Sequence, residues 1–102
     1  MALDLFVIDD GVPMPDDPAR LSFVGNLDMQ EHRSLAQLWT CCGDLLPYFE
    51  DSRLVAAQVL ILRDCLMENV ETGGGPNTLV LRVAALLDIA VEQGKGIAAF
   101  AD

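Results

Sequence analysis

The sequence predicts an α+β fold: a small sheet of about three strands with three helices packed on one face, in the order β-β-α-α-α-β. Three observations predict it. Short apolar runs bounded by turn residues stand at both ends of the chain. Three longer stretches between them carry apolar residues at helical spacing. And 52% of the 102 residues are hydrophobic, which suits one domain with one core, 1–102.

Leu3 to Ile8 is short, apolar and ends at Asp9-Asp10-Gly11, the pattern of a buried strand followed by a turn. Pro13, Pro15 and Pro18 then require an extended loop, which carries Asp16 and Asp17. Leu21 to Val24 reads as a second strand, closed by Gly25-Asn26. A first helix starts at Asp28, whose carboxylate and Glu31 three residues later make a capping-box pair. Leu35, Leu38, Trp39 and Cys42 line one face of it, and Gly43 stops it. Leu45-Leu46-Pro47-Tyr48-Phe49 is an apolar loop.

Asp51-Ser52 is then expected to cap the central helix, Leu54 to Met67, which continues to about Glu71. Val55, Val59, Leu62 and Leu66 share one side, Ala56, Leu60 and Met67 the next, and Leu54, Ile61 and Cys65 the rest. So apolar a helix should be covered by more than one neighbour. It is too short and too interrupted to cross a bilayer, which takes roughly 20 apolar residues. Arg63 stands within its apolar sector, so an acidic or carbonyl partner from another element is expected. Thr72-Gly-Gly-Gly-Pro76 ends the helix. A third helix from Asn77 or Thr78 turns Leu79, Val83, Leu86, Leu87, Ala90 and Val91 inward and stops at Gly94. Gly96 to Ala101 has room for a last strand, which with the first should form the middle of the sheet.

Sixteen acidic residues against six basic ones leave a net charge of −10. Nucleic acid and anionic membranes, which demand Lys and Arg, are not expected partners. A basic protein is, because opposite fields steer it into contact. Three cysteines make no disulfide framework, and the N-terminal residues lack a basic n-region. Reduced, functionless thiols and a cytoplasmic location are therefore expected.

No enzyme is expected, and no cofactor or metal. Asp9-Asp10 after an apolar strand resembles the magnesium-binding acidic pocket of response-regulator receiver domains. Such a domain alternates strands with helices, whereas here three helices follow in a row. His32 is the only histidine and would stand about 14 Å along a helix from Cys41, too far for a nucleophile–base pair. Gly73-Gly74-Gly75 follows a helix and lacks the Lys-Ser or Lys-Thr of a phosphate loop.

Acidic residues instead gather in loops: Asp9, Asp10, Asp16 and Asp17 in one, Asp44, Glu50 and Asp51 in another. The second group frames Tyr48, and an aromatic anchor ringed by carboxylates suits contact with a basic protein. The plainer alternative is loop charge that only meets water.

Leu5-Phe-Val-Ile-Asp-Asp-Gly11, Leu21-Ser-Phe-Val-Gly-Asn-Leu-Asp28 and Glu31-His32 are similar to the opening of one group of small immunity proteins of bacterial polymorphic toxin systems, which include contact-dependent growth inhibition. The similarity spans about the first third of the chain. It implies a cytoplasmic inhibitor, expected as a monomer, that binds a cognate toxin domain (often a basic nuclease) and covers its active site or substrate groove. The resemblance transfers no contact residue; those expected come from the acidic loops and the aromatic they frame: Asp9, Asp10, Asp16, Asp17, Asp44, Tyr48, Glu50 and Asp51. Two alternatives are a non-catalytic adaptor and a small magnesium-dependent phosphoacceptor using Asp9 and Asp10.

Overall fold

A computed structural model describes residues 2–43, 46, 50–71 and 77–101. Two hydrophobic layers build it. A four-stranded antiparallel sheet contains β1 (Ala2–Ile8), β2 (Ser22–Asp28), β3 (Ser52–Leu54) and β4 (Gly96–Ala101) in the order β2-β1-β4-β3. Four helices accompany it: α1 (Met29–Ser34), α2 (Ala36–Cys41), α3 (Ala56–Glu71) and α4 (Asn77–Gln93). The α+β class and the central place of the first and last strands are as expected. The expected three strands and three helices are corrected to four strands and four helices among the described residues.

β3 is the added strand. Its three residues are too short to show an alternation, and they pair with β4 only after the chain has folded. The central helix consequently starts at Ala56, and Leu54 belongs to the sheet. Its first turn is capped by Gln58, whose Oε1 accepts from Val55 N (3.0 Å), and by Asp10, whose Oδ1 accepts from Ala56 N (2.9 Å). Asp51-Ser52 does not cap it.

The expected first helix is broken at Leu35, which ends α1 and begins α2. The carbonyl of His32 accepts from Leu35 N (3.2 Å) and from the Trp39 indole Nε1 (2.8 Å). Ser34 Oγ also donates back to the Gln30 carbonyl (2.8 Å), a bond that bends helices. The capping box at Asp28 and Glu31 forms in both directions, at 2.7 and 3.0 Å. Gly43 and Gly94 stop their helices at φ 85° and 65°.

β2 runs four residues beyond its expected end at Val24, because Gly25 and Asn26 continue pairing with β1. Glycine suits that position: a Cβ on Gly25 would stand 2.7 Å from Leu86 of α4, so the bare backbone lets the helix lie close to the sheet.

The core lies between sheet and helices. Leu3, Leu5 and Val7 of β1 meet Val59, Leu62 and Leu66 of α3 and Val80, Val83, Leu87 and Ala90 of α4. Coverage of α3 is narrower than its composition predicts: Leu60 and Ile61 point to solvent, Ile61 at 61% exposure. Arg63 finds its partner on another element, as expected. Its Nε lies 2.9 Å from Asp88 Oδ1 of α4, an ion pair without hydrogen-bond alignment, and its Nη1 lies 3.2 Å from Asp64.

The expectation of three free thiols is corrected. Cys42, at the end of α2, and Cys65, in the middle of α3, form a disulfide with Cα atoms 6.2 Å apart. Spacing in the chain does not reveal this pairing, because helix packing brings the two residues together across 23 positions. Among the described residues no helix is long and apolar enough to cross a membrane.

Candidate functional site

The helices cover one face of the sheet, and the other face carries an aromatic cluster. Along β1 the side chains alternate, so Leu3, Leu5 and Val7 face the helices while Phe6 and Ile8 face away. Phe6 stands edge-on to Phe23 of β2 (centroids 5.4 Å, 65°) and to Phe100 of β4 (5.6 Å, 84°). Both are favourable aromatic geometries. Ile8, Ala98 and Phe100 are buried there, whereas Phe23 is 57% exposed.

A bulge puts Phe23 on this side. β1 pairs Leu5 with Gly25 but Phe6 with Phe23, so Val24 is skipped. In unbroken register Val24 would oppose Phe6, and Phe23 would turn to the helix face beside Val7. One inserted residue therefore exposes a phenylalanine on the open face.

The proline loop returns beside the same cluster. Met14 and Leu21 pack against it, and the exposed carboxylates of Asp16 and Asp17 lie between them in sequence. Asp17 Oδ1 accepts from Ala19 N (3.0 Å) and caps a 3₁₀ turn, Pro18–Arg20, whose first residue needs no donor because it is proline. The open face is therefore an apolar centre flanked by a loop that carries exposed carboxylates.

The expected contact residues divide. Asp9, Asp10, Asp16 and Asp17 share this loop and are all exposed. Asp9 Oδ1 accepts from Gly11 N (3.1 Å), and the carbonyls of Asp9 and Asp10 receive Arg53 Nη2 at 2.8 and 3.0 Å. Asp10 is thus part of the scaffold as well as the surface. Asp51 is also a scaffold group, since its Oδ1 accepts from Ala101 N (2.9 Å).

Asp10 lies beside Gly96 and Asp51 beside Ala101, opposite ends of β4 and about 17 Å apart by strand rise. Asp10 and Asp51 therefore do not share one patch. Glu50 is exposed next to Asp51. Asp44 and Tyr48 lie outside the described residues. Phe6, Phe23 and Phe100 were not among the expected contacts. Period-two alternation marks Phe6 as facing away from Leu5 and Val7, but the position of Phe23 depends on the bulge.

His32 stacks on Trp39 (5.1 Å, 26°), and its Nε2 lies 2.7 Å from the Leu46 carbonyl, so the ring is a packing and bridging group. A depression lined by Arg63, Asp64, Met67 and Glu68 is open to solvent and brings together no nucleophile and base. Among the described residues no group of three or more His, Cys, Asp or Glu is placed to hold a metal ion. No family model matches the chain, and no curated protein or solved structure matches it either.

Proposed function

We propose that this chain is a small non-catalytic inhibitor of the immunity type, which binds a basic toxin domain and covers its active site or substrate groove. The observation that supports this reading is Phe23, 57% exposed on an apolar sheet face, in a chain of net charge −10. An exposed aromatic that packs edge-on against another ring, as Phe23 does against Phe6, is already partly ordered, so less side-chain entropy is lost when a partner covers it. The exposed carboxylates of a chain of net charge −10 steer a cationic surface toward it and repel acidic ones. A nuclease, which must itself attract phosphate, is the kind of toxin such a surface fits.

The test is co-expression with the product of the neighbouring open reading frame, followed by pull-down and growth rescue. Wild type should co-purify with the toxin and restore growth. Phe23→Ala should fold normally, because the side chain is largely in water, and should lose at least about tenfold in affinity, as a hot-spot truncation does. Failure of wild type to bind any neighbouring toxin would overturn the inhibitor reading. Binding that ignores Phe23→Ala would move the contact off the sheet face.

A further inference from the structure

We propose that the Cys42–Cys65 bond is a redox latch that holds the C-terminal end of α2 against α3, and that thiol reductants open it without unfolding the sheet. This inference does not depend on the inhibitor reading.

α1 and α2 have six residues each, about half the length at which a helix begins to persist alone in water, so tertiary attachments decide their positions. α1 has its capping box and the Glu31–Arg82 ion pair to α4. α2 is held by the burial of Leu38 and Trp39 and by the disulfide at its C-terminal end.

The chain beyond α2 is fastened again at Asp51, which accepts from Ala101 N, and at β3, which pairs with β4. Leu46, between the disulfide and these attachments in sequence, is buried. Breaking the bond removes the covalent attachment of α2 to α3. The pairs of β1 with β2 and with β4 do not involve it.

Cys42 is buried and Cys65 half-buried, so Cys65 is the side more open to an incoming thiolate. A thiolate of a small dithiol attacks the Cys65 sulfur, forms a mixed disulfide and expels Cys42 as a thiolate, which takes a proton. The second thiol of the reductant then attacks its own attached sulfur and releases Cys65 as a thiol. Two electrons and two protons pass to the protein, and the reductant leaves as a cyclic disulfide.

The test compares the full chain before and after dithiothreitol. In denaturant without reductant one thiol per chain should react with a thiol reagent, and after reduction all three should. Trp39, the single tryptophan and only 3% exposed, stands three residues from Cys42, so its emission should shift to the red when the latch opens. Amides of 36–42 should exchange roughly tenfold faster or more, while those of β1 and β4 keep their protection.

Cys65→Ser should match the reduced chain in both signals, and Cys41→Ser should retain the response. If Cys65→Ser does not fold, the comparison of oxidised with reduced wild type decides alone. Three reactive thiols in air-oxidised protein would overturn the latch, as would Trp39 emission and exchange that ignore reduction. Equal loss of protection in β1 and β4 would also overturn it, because the bond would then be a staple for the whole fold.

Discussion

One carboxylate in the turn after β1 determines how the long helix begins. Asp10 Oδ1 accepts from Ala56 N, so beside the local acceptor Gln58 one cap of α3 is supplied from 46 residues away. Asp16, six positions further on, is exposed and lies in the loop beside the sheet face. The two acids look alike in sequence and should behave differently on substitution. Asp10→Ala should lower stability by about 1 kcal/mol, the usual cost of a lost cap, and Asp10→Asn, which keeps an acceptor, should cost much less. Asp16→Ala should stay within about 0.5 kcal/mol of wild type. Urea denaturation of the three variants measures this, and equal losses at positions 10 and 16 would exclude a capping role.

Between residues 28 and 43 the deciding interaction is a tryptophan indole competing with the backbone. Trp39 Nε1 donates to the His32 carbonyl, which Ala36 N would otherwise use to continue the helix, and the chain turns at Leu35 (φ −105°, ψ 18°). Trp39→Phe keeps an aromatic in the core but removes that donor. Stability should fall by about 2 kcal/mol, from the lost hydrogen bond and the volume of the missing ring. With the carbonyl released, α1 and α2 should join, and the carbon chemical shifts of Leu35 should move to helical values. Unchanged Leu35 shifts would mean that Ser34 and the packing of Leu35 alone impose the break.

For the molecule as a whole, charge is distributed less evenly than its total indicates. Arg53, Arg63 and Arg82, half of the six cations, are committed to the Asp9 and Asp10 carbonyls, to Asp88 and to Glu31. The exposed loop carboxylates therefore face water with few cations to offset them. If a basic partner is steered by this field, its on-rate should fall as salt rises, since screening shortens the field to about 8 Å at physiological ionic strength. Reversing Asp16 and Asp17 to Lys should slow association and leave the fold intact. Reversal at Asp51 should disturb the fold as well, because its carboxylate holds Ala101 N. Stopped-flow association at two salt concentrations provides the measurement, and an on-rate indifferent to both salt and loop charge would remove electrostatic steering.

Sequence alone determined what is encoded within three or four residues along the chain. The capping box at Asp28 and Glu31, the stops at Gly43 and Gly94 and the inward face of α4 all follow from local spacing. Hydrophobicity located the two inner strands, because an apolar run with no helical partner face has to be covered on both sides. Tertiary structure decided everything that depends on which distant segments meet. β3 exists only beside β4, Asp10 becomes a cap only when β1 ends next to Ala56, and Cys42 finds Cys65 only through helix packing. Phe23 is the clearest case: the residue is visible in sequence, but a one-residue bulge against β1 chooses its face. Strand pairing is non-local and its side-chain period is two, so a single slip reverses inside and outside.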